Sequence, residues 1–157
     1  MANIKTIIKN IVENNLGSPV TFIMGWEAML NLKADKVKIF PIGALFIPIK
    51  YNLVLAKSGY IGRKSTIFIL FANKVIVNGK RTIDNTAEEH DVVIQEMQSL
   101  STKFVQQCEK AVDSNGRRYF KNVENANEEE LYNDKDIGVT GIILSIDLTP
   151  FNSDSFC

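Results

Sequence analysis

The chain has 157 residues, 45% of them apolar, and its 18 basic and 18 acidic side chains cancel to a formal net charge of zero. That length fits one domain with a core of its own, and that composition excludes general disorder. The neutral balance leaves no electrostatic footprint for nucleic acid or an anionic membrane, and defends the surface only weakly against self-association.

From the N-terminus, residues 2–15 place Ile4, Ile7, Ile8 and Ile11 on one face and Lys5, Lys9 and Glu13 elsewhere. This is an amphipathic helix, stopped by Gly17 and Pro19. Its charges interrupt any apolar core, so no secretory signal is expected. "PVTFIM" (19–24) reads as a strand, and "GWEAMLNLKADK" reads equally as a loop or a continuing strand. "KVKIFPIGALFIPIKYN" (36–52) runs from Ile39 to Ile49 without a charged or amide side chain. Both faces of an extended chain are then apolar, so a strand here is covered on both sides. Pro41 and Pro48 lack ladder donors and belong near strand ends, an edge or a bulge. No apolar run reaches the eighteen or so residues of a membrane span.

Residues 51–64, with Gly59, Gly62, Arg63 and Lys64, read as a long polar loop. "STIFILFAN" (65–73) is a second strand apolar on both faces, a plausible antiparallel partner for the first. Asn78-Gly79 marks a tight turn. Thr86 with Glu89 forms a capping-box pattern at the start of a long helix. Val93, Met97, Leu100, Phe104, Cys108 and Ala111 make its apolar stripe, and Asp113 to Gly116 ends it. The segment 117–136 reads as a short edge strand around Tyr119 and Phe120, then a solvated stretch. In 137–151, Thr140, Ile142, Leu144, Ile146 and Leu148 alternate with Val139, Gly141, Ile143, Ser145 and Asp147 as a closing strand. The expected architecture is α+β: a mostly antiparallel sheet packed by the long helix and the N-terminal helix. It forms a single domain over 1–151 with a mobile end at 152–157.

Side chains for catalysis are sparse. His90 is the single histidine, expected as a solvated surface residue. Cys108 lies on the core stripe and Cys157 is last, so neither a Cys-His pair nor a disulfide framework is expected, and a reducing compartment fits. "SGYIGRKS" (58–65) lacks P-loop spacing. "ENANEEELYNDKD" lacks the acid spacing and central glycine of an EF-hand. No catalytic, cofactor or metal residue is expected. The candidate contact residues are Trp26, Arg63, Lys64, Arg117, Arg118, Tyr119, Glu128, Glu129 and Glu130. Two strands apolar on both faces, with only two helices, leave sheet surface that a neighbouring subunit would cover. The alternatives are a small enzyme or ligand-binding domain with a site near loop 51–64, and a nucleic-acid-binding accessory protein.

The order of elements resembles the tail-terminator and neck (head-tail completion) proteins of tailed bacteriophages, in particular the crAss-like group. The resemblance covers about residues 4 to 151. It rests on the first helix, "FPIGALFIPI", "STIFILFAN", the long helix after "NTAEEHDVV", and the ending "DKDIGVTGIILSIDLTPF". It implies a tail-terminator-like fold and a virion protein assembled in the host cytoplasm. Such a protein forms a ring of six or twelve copies between portal and tail, touching portal, adaptor or tail rings, with DNA passing the lumen unread. By position it implies that 51–64 and 117–136 carry the contacts between subunits or rings. It brings no catalytic residue.

Overall fold

The structure, a computed structural model, describes residues 3–25, 40–55, 61–74, 87–134 and 139–150. Within them lie α1 (Ile4–Asn14), β1 (Thr21–Met24), β2 (Ile42–Leu45), β3 (Lys50–Leu55), β4 (Ile61–Asn73), α2 (Ala87–Lys110), β5 (Phe120–Asp134) and β6 (Val139–Pro150). The strands form one sheet in the order β1-β2-β4-β6-β5, with β3 also beside β4. The β1–β2 pair is parallel and the other pairs are antiparallel. The α+β expectation holds. Trp26, the Asn78-Gly79 turn, Thr86 and the end at 152–157 lie outside the described residues.

Both helices pack on one face of the sheet. Asn3 caps α1 by accepting from the Lys5 N–H at 2.9 Å, which satisfies one of the donors a helix start leaves unpaired. Ile7, Ile8, Ile11 and Val12 are buried, each stabilising by about 1.5–3 kcal/mol relative to exposure. From α2, Val93, Met97, Leu100, Phe104 and Cys108 join the same core, as the sequence stripe implies. They meet Ile67, Ile69 and Phe71 of β4 and Ile142, Leu144, Ile146 and Leu148 of β6. The Phe71 and Phe104 ring centroids are 5.7 Å apart. Two glycines permit this closeness. A Cβ on Gly43 would stand 2.8 Å from Val12 Cγ1, and one on Gly141 would stand 2.0 Å from the Phe71 carbonyl oxygen.

The opposite face is divided. Toward β1 it is apolar: Ile23, Ile42, Ala44, Leu70, Ala72 and Val139 are buried together. Farther along β4 and β6 it becomes polar, with Thr66, Lys64, Ser145 and Asp147. The strand read from 36–52 proves to be two. Leu45 pairs with Ile69 and Lys50 with Thr66, so residues 46–49 oppose only 67 and 68. Pro48 sits in this bulge, where its missing N–H costs no ladder bond. All four β2 residues are buried, as a strand apolar on both faces requires.

Two segments depart from expectation. Residues 51–55 and 61–64 are not loop but the arms of a hairpin, β3 and β4, in register from Lys50↔Thr66 to Leu55↔Ile61. Both arms alternate or run apolar, but Gly62, Arg63 and Lys64 mask the pattern. The segment 117–136 is not a short strand with a solvated stretch either. β5 runs fifteen residues along β6. Its charged composition hides a strand that is an edge, where most side chains remain in water and only Phe120, Val123 and Leu131 touch the core.

Candidate functional site

The sequence candidates fall into three separate places. Arg63 and Lys64 lie on β4 inside the hairpin, opposite Leu53 and Asn52. Because neighbours on a strand point to opposite faces, they serve different surroundings. The Lys64 Nζ reaches Asp147 Oδ2 at 3.1 Å. Asp147 also accepts from Thr66 Oγ1 at 2.6 Å and Asn125 Nδ2 at 2.8 Å. These bonds, Asn125 first and then Thr66 and Lys64, hold its carboxyl below the usual carboxylate range. One carboxylate on β6 thereby ties the hairpin to β5.

Glu128, Glu129 and Glu130 lie in mid-β5 opposite Leu144, Ile143 and Ile142, and all three are exposed. Arg117, Arg118 and Tyr119 occupy the turn between α2 and β5. Asp113 organises that turn, its Oδ1 accepting from the N–H groups of Asn115 and Arg117 at 2.8 and 2.9 Å. The two arginines are exposed, whereas Tyr119 is half-buried against the core. Tyr119 also lines a groove of about 470 Å³ with Ile7, Lys9, Gln107 and Lys110, between α1 and the end of α2. The structure does not bring these three groups of candidates together.

What sequence reasoning missed is the hairpin's surface. All six β3 side chains are exposed, among them Leu55 at 74%, Leu53 at 60%, Tyr51 at 49% and Val54 at 48%. Alternation puts Tyr51, Leu53 and Leu55 on the helix side of the sheet. Residues 61–64 extend beyond the last paired residues of β6, so β3 is their partner there. The hairpin is an arm. The available signal was "YNLVL", a β-prone run that a loop assignment leaves unexplained.

His90 is the second correction. It is not a solvated surface residue: it is 1% exposed, with Nδ1 2.7 Å from Thr140 Oγ1 and its ring centroid 4.8 Å from that of Tyr132. Its Nε2 finds no hydrogen-bond partner. The stripe from Met97 and Val93, extended one turn toward the N-terminus, lands on His90, which is why it is inside. Tyr132 stands above its ordinary acidity range through partial desolvation and then the carboxylates of Asp91, Glu130 and Glu88, which marks this corner as electronegative. Cys108 is buried, and burial followed by Glu109 pushes its thiol far up, so it is a core residue and not a poised nucleophile. Among the described residues no three His, Cys, Asp or Glu side chains gather to hold a metal ion, and no helix is long and apolar enough to cross a membrane.

No family model matches the chain, and no curated protein matches it significantly.

Proposed function

We propose that the chain is a structural virion protein that forms a homomeric ring in the neck or tail of a tailed phage. The ring surrounds the DNA channel between portal and tail, and its neighbours are portal, adaptor or tail ring proteins. The observation that carries this reading is the exposed apolar arm. A sheet that continues past its own helices into Tyr51, Leu53, Val54 and Leu55 leaves apolar edge surface that monomeric proteins avoid. The resemblance in element order supports the same reading. DNA passes through such a ring without base-specific contacts, so its retention on heparin responds weakly to salt, unlike a protein that neutralises many phosphates. Negative-stain microscopy of the purified protein tests the proposal: closed rings of six or twelve copies are expected, and their absence even after addition of a portal or tail partner would refute it.

A further inference from the structure

The two ends of the sheet are opposite in charge. The hairpin arms, β3 and residues 61–64 of β4, hold three basic side chains (Lys50, Arg63 and Lys64) and no acidic one. β5 holds five acidic side chains and one basic, Lys121. β3 lies on the β2 side of β4, whereas β5 is the strand beyond β6, so the two charges sit on opposite edges of one molecule. Each edge also offers apolar surface on the helix side: Tyr51, Leu53 and Leu55 on the hairpin, and Tyr132 on β5, at 43% exposure. Following the antiparallel ladders from β3 through β4 and β6 to β5, β5 runs opposite to β3.

We infer that the β3–β4 hairpin of one copy docks on the β5 edge of a second copy of this chain. The inference rests on the ring reading above for the identity of the partner. Placed side by side with their strands aligned, two copies set β3 antiparallel to β5, the pairing with the better hydrogen bonds. The helix-side rows then meet, with Tyr51 against Tyr132, and with Leu53, Leu55 and the basic side chains of the arms along Glu128, Glu129 and Glu130. The contact joins unlike surfaces, so it propagates from copy to copy and closes only as a ring. Tyr51 stands level with Leu148 of β6, through Ser65, while Tyr132 lies between the pairs at Gly141 and Val139. Neighbours are thus offset by about eight residues, roughly 27 Å, and the continued sheet is inclined to the ring axis, as the strands of closed barrels are.

The test uses two full-length charge-reversed proteins. One carries Glu128→Lys, Glu129→Lys and Glu130→Lys; the other carries Lys50→Glu and Arg63→Glu, leaving the Lys64–Asp147 pair intact. Each alone is expected to sediment as a monomer with an unchanged thermal melt. Mixed, the native hairpin of the first meets the native β5 of the second, and the two reversed surfaces, basic on β5 and acidic on the hairpin, also complement each other, so association is restored with the two proteins alternating. Tyr51→Cys in the glutamate-reversed protein and Tyr132→Cys in the other, both with Cys157→Ser, then form a disulfide across the restored contact. A glutamate-reversed protein that still self-associates overturns the inference, because it shows an isologous or different contact. So does a wild-type protein that stays monomeric throughout. Rings indifferent to the reversals would sink this contact and spare the ring reading, whereas open chains sensitive to them would do the opposite.

Discussion

The two edges of this sheet solve the same problem in opposite ways. β5 is long, so it needs protection against stray pairing. It has it, in Glu124, Glu128, Glu129 and Glu130, in the register shifts along β6, and in the left-handed backbone of Asn125 at φ 54°, devices that discourage edge-to-edge association. β3 is short and nearly undefended, with Lys50 its only charge and with Tyr51, Leu53, Val54 and Leu55 in water. A chain that defends one edge and leaves the other apolar has kept the second for a partner. The difference lies in side chains, because both edges hang on the same β4–β6 seam.

That seam is where the comparison breaks most easily. Gly141→Ala drives a Cβ into the Phe71 carbonyl at 2.0 Å, and backbone on both strands must separate. A loss of about 3 kcal/mol or more is expected, read as a lower urea midpoint, and both edges lose their footing together. An unchanged midpoint would contradict the packing described here.

Asp147 comes next, because it links Lys64 on the hairpin strand to Asn125 on β5. Asp147→Asn should cost about 1–2 kcal/mol at neutral pH. The acid limb follows from the sign of the shift. With the folded carboxyl held low, its contribution is complete above the unfolded value of about 3.9. It is lost as pH falls through the lower folded value. Thermal melts between pH 2 and 5 should therefore fall less steeply in Asp147→Asn than in the wild type.

The smallest effect on stability should come from the most exposed residues. Leu53→Lys with Leu55→Lys should shift the urea midpoint by an amount equivalent to less than about 0.5 kcal/mol, yet weaken self-association strongly. A variant that unfolds instead would mean that the arm supports its own core.

Much of this contrast was legible in the residues. The α2 stripe, the buried β2, the alternation of β6 and the bulge at Pro48 all follow from periodicity and proline chemistry. The hairpin was not, because Gly62, Arg63 and Lys64 break the apolar pattern just where two short arms must be recognised by pairing. β5 was not, because an edge strand with most side chains in water, and only Phe120, Val123 and Leu131 against the core, carries no hydrophobic period to read. His90 was misplaced for a related reason: acidic neighbours in its helical turn signalled solvent, while its position on the stripe signalled the core. Local composition and periodicity disagreed, and periodicity was right. The described contact residues scattered across three places because expected loop position and polarity selected them. Which edge each one decorates is a property of the ladder.

The measurement that bears most directly on the central claim is the mass of the wild-type protein in solution, by light scattering across a wide concentration range. Association through unlike edges predicts growth with concentration to a closed assembly of six or twelve copies that then stops. A mass that plateaus at two copies, or never leaves one, would contradict it.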